Sequence, residues 1–409
     1  MTTTRPYRVG RQFAWVSGGR IIAALIQALI MLLLVRAVDP AEFGFFAAVY
    51  GVLTVVQTIF DFGLPTLASR ERAKRANPGI VTGALRLNNA LSLAMGLCLI
   101  VVIGLLGVFI DSQFLLLVPL GVWAAAERNA DAWLVVVFAD GDARINTTNL
   151  VSRRLGNLAL FALLTSWTGI DPVLAFGISS AVAACASWVF AHSYVKKRLA
   201  PSEGIAAGRL IRMSYPFWIN SVATQARNLD AIIIGFVAGS AQAGFYAAAA
   251  RLTNPLRILP TSLASVLLPA SASRDSKDVP GLLKLVALVI CGLTIFYVAL
   301  GFAMPVVVPL LLGNAYIGAV PALQITAAGL VFASASALLS SLLQGVGLKH
   351  FVAGTAVATT FVCLAGVGLG GHMWGASGAA IGLGVSFFVQ SALLSARMAA
   401  FIRRGEANR

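Results

Sequence analysis

Charge is scarce in this chain of 409 residues: Asp, Glu, Lys and Arg together make up 11%. A soluble globular domain carries about 25%, so that class is excluded. Disorder needs low hydrophobicity and dense charge, and here 59% of residues are hydrophobic, which excludes disorder as well. Cysteine is limited to Cys98, Cys185, Cys291 and Cys363, each inside an apolar stretch and none at CxxC spacing. They read as small buried hydrophobes, with neither a disulfide framework nor a zinc site. The three histidines, His192, His350 and His372, are scattered and make no metal set. A GxxxxGK(S/T) loop is missing, which argues against ATP hydrolysis. No cofactor, no metal and no catalytic constellation are therefore expected.

What the chain has in quantity is long apolar runs. A transmembrane helix needs about 20 apolar residues, and hydropathy marks twelve such runs. They are 13–35, 42–64, 88–110, 114–139, 148–168, 173–195, 213–237, 242–270, 282–311, 318–345, 351–370 and 376–401. The first is too long for a signal-peptide core and lacks a small-residue cleavage site, so it counts as a span. Lys plus Arg is 30 against 15 Asp plus Glu, a net charge of +15. In a soluble protein that balance would suggest nucleic acid. Here it follows the positive-inside rule instead, and no nucleic-acid partner is expected.

With the N-terminus inside, the inner connections hold Arg70, Arg72, Lys74, Arg75 and Arg86, then Arg144, then Lys196, Lys197, Arg198 and Arg209. Arg274, Lys277, Lys349, Arg403, Arg404 and Arg409 continue the series, whereas the outer connections carry Arg36, Asp39, Glu42, Asp111 and Asp171. The alternation predicts an all-α polytopic membrane protein of about twelve helices with both termini cytoplasmic. Ala41–Ala48 lines up with Ala241–Ala248 at an offset of 200 residues, identical at five of eight positions. Two six-helix halves, 1–198 and 199–409, around a central cavity are the expected arrangement. All outer connections are short, which leaves no room for an outer catalytic domain. The basic segment Arg70–Arg86 reads as a surface connection beside lipid head groups.

A charge at the bilayer centre costs about 2.5–3.5 kcal/mol, so such residues face a bundle interior or a wet cavity. In span 1, Ser17, Arg20, Ala24 and Gln27 share a face, with Gly18-Gly19 as helix breakers. In span 7, Asn220, Thr224 and Arg227 share a face, Asp230 lies one turn beyond Arg227 as an i,i+3 partner, and Pro216 is the breaker. Arg251, Asn254 and Arg257 form a row in span 8, with Pro255 and Pro260 around them. Arg20, Arg227, Arg251, Arg257, Asn220 and Asn254 are the candidates for holding an anionic head group, since guanidinium forks suit phosphate and carboxylate. Span 4 carries Glu127, Arg128 and Asp131, either a neutralised structural cluster or a site for a coupling proton or cation. Tyr50, Thr54, Gln57 and Asp61 form a stripe in span 2, where Asp61 serves either gating or helix-end solvation. Asp61, Glu127, Arg128, Asp131 and Asp230 are the coupling or gating candidates.

Several short motifs resemble polysaccharide exporters of the multidrug/oligosaccharidyl-lipid/polysaccharide superfamily. They are Asp39-Pro40-Ala41-Glu42-Phe43-Gly44 with Asp61-Phe62-Gly63-Leu64, then Leu229-Asp230, Gly244 through Leu252, and Leu268-Pro269. Leu312 through Tyr316, Leu343 through Gly347 and Gly375 through Ala380 extend the likeness over nearly the whole chain. The resemblance implies an oligosaccharide flippase of the bacterial plasma membrane that moves undecaprenyl-diphosphate-linked units for O-antigen, capsule or exopolysaccharide. Its implied partners are the lipid-linked oligosaccharide, membrane lipids and polysaccharide polymerase or assembly proteins. It implies that Arg20, Arg227 and Arg251 meet the diphosphate. Lipid II flippases of the superfamily usually have fourteen helices, and its drug exporters tend to carry an acid where this chain has Arg20. A cation-coupled drug or small-molecule exporter and a membrane glycan polymerase or ligase are the competing readings.

Overall fold

The computed structural model describes residues 6–407 apart from 74–76, 141, 168, 200–204, 259, 262, 265–266 and 268–278. Among the described residues there are helices and short connections, and no strand. The α-helices are α1 (Pro6–Ala37), α2 (Pro40–Phe60), α3 (Leu64–Ala73), α4 (Pro78–Phe109), α5 (Pro119–Ala139), α6 (Ala143–Trp167) and α7 (Pro172–Lys196). They continue with α8 (Ala207–Gln225), α9 (Asp230–Ala238), α10 (Ser240–Thr253), α11 (Val279–Leu312), α12 (Val320–Gly345) and α13 (Lys349–Ala407). Short 3₁₀ turns occupy Ser112–Leu117, Ala226–Leu229, Asn254–Arg257 and Asn314–Ala319.

The chain is an all-α polytopic membrane protein. Among the described residues, seven helical stretches are long and apolar enough to cross a membrane by themselves. The remaining expected spans are set back by charge, as in α5 with Glu127, Arg128 and Asp131, or by interruption, as where a 3₁₀ turn separates α8 from α9. Each expected span falls on a helix or on an interrupted pair. Residues 268–270 at the end of span 8, with Lys74, Arg75, Arg274 and Lys277 of the charge pattern, lie outside the described residues. Spans 11 and 12 are the two arms of α13, which turns sharply at Trp374 and Gly375. Gly375 has φ 57°, a left-handed conformation that favours glycine. Gln242 Oε1 accepts from Ala376 N at 2.9 Å and so caps the second arm.

The acidic residues Asp39, Asp111 and Asp171 have a structural use. Asp39 Oδ1 accepts from Ala41 N and Glu42 N, both at 2.8 Å, and starts α2. Asp171 caps α7 through Val173 N at 2.8 Å, and Asp111 caps a 3₁₀ turn through Gln113 N at 2.9 Å. Asn77 does the same for α4, its side-chain oxygen accepting from Gly79 N at 2.8 Å. In Asp39-Pro40, Asn77-Pro78 and Asp171-Pro172 the proline takes the first helical position, where its missing N–H costs nothing.

Three expectations need correction. The first turns of α4 are not a surface connection: Ile80, Val81, Ala84 and Leu85 are buried, with Leu64, Leu67 and Ala68 of α3 in the same core. Helix α1 runs unbroken through Gly18-Gly19, because Gly19 serves packing: a Cβ there would run into the Thr147 side chain of α6. Helix α8 likewise continues through position 216, and the interruption falls at Ala226–Leu229 instead.

Packing divides the chain into two compact units, Met1–Ala37 with Val52–Gln225 and Val38–Gly51 with Ala226–Arg409. In the first unit α5 packs along α7 and α4, and α6 along α1 and α7. In the second, α12 packs along α13 and α11, and α9 lies against α10 and α13. The start of α2 belongs to the second unit through its contact with α10. A Cβ on Gly44 would meet Ser240 O and Gly244 N, and one on Gly244 would meet Pro40 O and Gly44 N. Pro40 and Ser240, like Gly44 and Gly244, are 200 residues apart, so the contact maps onto itself when the two repeat segments are exchanged. The sequence repeat is thus a two-fold helix crossing at which both helices need glycine.

The arms of α13 meet in the same way. A Cβ on Gly382 would strike the Gly366 backbone, and one on Gly370 or Gly378 would strike its counterpart's carbonyl. Overpacking of such a contact costs about 1–3 kcal/mol or more. Gly382→Leu is therefore expected to lower the detergent melting temperature and the amount of membrane-inserted protein. Gly354→Ala, where a Cβ meets open space, is expected to keep or raise the melting temperature.

Candidate functional site

Guanidinium groups gather in the second unit, and two of them ride on helix interruptions. Arg227 lies in the 3₁₀ turn Ala226–Leu229 and Arg257 in the turn Asn254–Arg257. Arg227 Nε donates to Thr360 Oγ1 at 2.9 Å and its Nη2 to Thr359 Oγ1 at 3.0 Å, both on α13. Those hydroxyls give their own protons to Thr355 O at 2.8 Å and Ala356 O at 2.9 Å, one helical turn back. They therefore present lone pairs, the half of a hydroxyl that a guanidinium can use. Gln390 Oε1 completes the acceptor set at 3.5 Å.

Phe387 is shared by two of the charges: the Arg257 guanidinium carbon is 5.2 Å and that of Arg227 5.8 Å from its ring centroid. Cation–π attraction partly offsets the repulsion of two like charges brought to one ring. Arg251 takes a different neighbourhood at the crossing of α10 and α2. Its Nη2 donates to Ala47 O at 3.0 Å, and its guanidinium carbon lies 5.1 Å from the Tyr50 ring centroid. Gly51, which occupies the repeat position equivalent to Arg251, brings no side chain into this space.

Asp230 was expected to pair with Arg227 at i,i+3, and it does not. Among the described residues no ion pair joins Asp230 to any arginine. Its Oδ2 accepts from Tyr246 OH at 2.8 Å and its Oδ1 from Ala231 N at 2.7 Å. The 3₁₀ turn that carries Arg227 ends where α9 begins at Asp230, so helical i,i+3 geometry does not apply. Three guanidiniums, Arg227, Arg251 and Arg257, thus share their surroundings with one carboxylate that is already hydrogen-bonded.

The first unit shows the opposite balance. Arg128 of α5 forms an ion pair with Asp61, which follows α2 and also accepts from Gly63 N at 2.6 Å. Arg153 Nη2 is 2.9 Å from Asp131 Oδ1 and 3.6 Å from Glu127 Oε1. Arg154 Nη2 is 2.8 Å from Glu127 Oε1, and Trp123 Nε1 donates to the other oxygen of Glu127. Asp61, Glu127 and Asp131 face Arg128, Arg153 and Arg154, three charges of each sign. Arg128 and Asp131 stand three residues apart on α5, yet Arg128 takes Asp61 and Asp131 takes Arg153. Arg153 and Arg154 were missed by the sequence reading. Their signal was present, as adjacent arginines well inside the apolar run 148–168 with no acid on that run.

Arg20 is exposed on α1, and among the described residues it has no ion-pair partner. Gln27, one turn pair further along that helix, has both amide atoms buried without a hydrogen-bond partner among the described residues. The side chains of Ser17, Asn220, Thr224 and Asn254 lie outside the described residues.

A polysaccharide biosynthesis protein family model matches residues 9–274, well over half of the chain. The chain belongs to the polysaccharide biosynthesis protein family. No curated protein matches this family member in sequence. Its fold is shared with an inward-facing multidrug resistance MATE family transporter of the MOP superfamily, with 15% identity and a TM-score of 0.72 over 92% of this chain and 95% of that one. The lipid II flippase MurJ in an inward closed conformation is also similar, with 11% identity and a TM-score of 0.70 over 93% of this chain and 86% of that one. A MOP superfamily transporter from Pyrococcus furiosus, described by the reverse polarity of its binding pocket, gives 14% identity and a TM-score of 0.65 over 95% and 96%.

The two charge clusters of this family member should respond differently to mutation. Removing one partner of a buried ion pair costs about 3–5 kcal/mol, whereas Arg227 loses neutral acceptors worth about 1 kcal/mol each. Glu127→Ala is expected to destabilise the purified protein severely and Arg227→Ala mildly, as read from thermal unfolding in detergent.

Proposed function

We propose that this protein is a flippase that carries undecaprenyl-diphosphate-linked oligosaccharides across the bacterial plasma membrane for surface polysaccharide assembly. The observation that carries the reading is the excess of guanidinium in the second unit, where Arg227, Arg251 and Arg257 face one hydrogen-bonded carboxylate. An uncompensated cluster of this kind in an apolar helical protein is costly, and an anionic ligand relieves the cost. A diphosphate supplies several charged oxygens in the geometry that guanidinium forks prefer. Interrupted helices at such clusters are a recurrent feature of transporter sites. The family match and the transporter fold support the reading.

In the proposed mechanism Arg227, Arg251 and Arg257 hold the diphosphate, and Asn220 and Asn254 are proposed as further hydrogen-bonding groups for the substrate. Arg20 is proposed to meet the same head group during its passage. The sugar needs a polar route, because each unsatisfied hydroxyl in hydrocarbon is expensive, and alternating access provides one. Both termini are proposed to be cytoplasmic on the Lys and Arg pattern. Of the acidic candidates, Asp230 is proposed to take part in coupling, since its partner is a neutral phenol. Asp61, Glu127 and Asp131 with Arg128 are proposed to hold the first unit together, which favours the structural alternative for that cluster.

The test is a deletion strain complemented with the wild type or with Arg227→Ala, Arg251→Ala and Arg257→Ala variants. Each variant loses charge-assisted hydrogen bonds and is expected to lower surface polysaccharide about ten- to hundredfold at unchanged protein abundance. Lipid-linked units should accumulate on the cytoplasmic face. Accumulation of single units on the outer face would point to polymerisation or ligation as the missing step. Unchanged glycans with altered drug susceptibility would point to a small-molecule exporter.

A further inference from the structure

Helices α6 and α7 leave a slot of about 400 Å³ between them, within the first unit. That volume lies in the range of about 300–1,000 Å³ typical of ligand pockets. The slot extends along α6 from Ile145 to Leu160, fifteen residues that rise about 22 Å. Its long axis is therefore the helix axis, and it is longer than the hydrocarbon thickness of one leaflet, about 15 Å. Small residues open it: Gly156 on one helix faces Ala183 and Ala186 on the other. Val182 and Phe190 at its edge are about half exposed, so the slot opens sideways from the protein.

Three of the polar side chains in its wall are engaged from within. Ser187 Oγ donates to Asn149 Oδ1 at 2.6 Å, and Arg153 is held by Asp131 at 2.9 Å. An alkyl chain entering the slot strips none of these bonds. At the end near Ile145 the hairpin is basic, with Arg144, Lys196 and Lys197 all exposed. Asp142 at that end is 3.5 Å from Arg198 and leaves the lysines uncompensated by any carboxylate among the described residues. A chain-shaped slot ending at a basic rim matches one class of molecule.

We infer that the α6–α7 slot binds an anionic phospholipid, with one acyl chain in the slot and the phosphate at Lys196 and Lys197. Basic residues at a membrane surface attract acidic head groups, and the slot adds the chain contact that turns attraction into residence. This site is separate from the Arg227 cluster and does not depend on the substrate reading.

Native mass spectrometry of the full-length protein, delipidated and given equal phosphatidylglycerol and phosphatidylcholine of identical chains, tests the inference. The wild type is expected to retain phosphatidylglycerol preferentially. Gly156→Leu projects into space where a Cβ meets nothing, so it fills the slot without a clash. It is expected to lower phosphatidylglycerol retention about tenfold, equivalent to excluding about two methylenes. Ala186→Trp, on an exposed position of the facing helix, should act likewise. The double variant Lys196→Gln with Lys197→Gln should keep phospholipid binding and lose the preference for the anionic one. Wild-type retention in both slot-filling variants would overturn the inference. So would displacement of phosphatidylglycerol from the wild type by equimolar undecaprenyl phosphate, which would make the slot a seat for a polyprenyl carrier.

Discussion

A guanidinium cannot shed its charge at any physiological pH, so an arginine inside a membrane protein must find a carboxylate, a set of neutral acceptors, or a ligand. This constraint organises both units of the chain. In the first unit one cluster meets it internally. Arg128, Arg153 and Arg154 are matched by Asp61, Glu127 and Asp131, drawn from α5, α6 and the end of α2. The network ties α5 to α6 and to the end of α2. In the second unit the constraint is met only in part, by threonine hydroxyls, a main-chain carbonyl and aromatic faces. A neutral acceptor offsets some of the cost of a buried charge and none of its net electrostatic field.

Glycine sets where those charges can stand. The crossing of α2 and α10 at Gly44 and Gly244 brings two backbones into contact and carries Arg251 to the Ala47 carbonyl and the Tyr50 ring. Any side chain at either glycine would separate the helices and withdraw that support. The α13 hairpin uses the same device, with Gly366, Gly370, Gly378 and Gly382 stacked across the turn at Gly375. Its first arm presents Thr359 and Thr360 to Arg227 and its second presents Phe387 and Gln390. Close helix packing and charge placement are therefore one feature of the second unit. In lipid this is expected, because small residues and polar contacts replace the hydrophobic effect as the means of holding helices together.

The interruptions in α8–α9 and after α10 follow the same logic. A continuous helix satisfies its own backbone and offers little to a ligand. A 3₁₀ turn loosens that ladder, and here two such turns place Arg227 and Arg257 at the same aromatic ring. The helix breakers visible in the sequence, Gly18-Gly19 and Pro216, are absorbed by continuous helices instead. A glycine can serve packing as well as bending, and composition does not separate the two uses.

Hydropathy and the Lys and Arg pattern determined the membrane class, the helical fold and the twelve spans, because those depend on local composition against a slab of fixed thickness. The order of short motifs along the chain was enough to indicate the family. The repeat at 200 residues was legible as well, though its meaning as a glycine crossing was not. Which arginine is neutralised was decided only by the tertiary structure. Arg128 has Asp131 three residues away and pairs with Asp61; Arg227 has Asp230 three residues away and pairs with neither it nor any other acid among the described residues. Arg153 and Arg154 carry no acid on their own helix and are fully matched by α5. Charge pairing in a bundle runs between helices distant in sequence, at separations that no local spacing rule encodes, and so the contrast between a neutralised cluster in the first unit and a cationic cluster in the second emerges only from the fold.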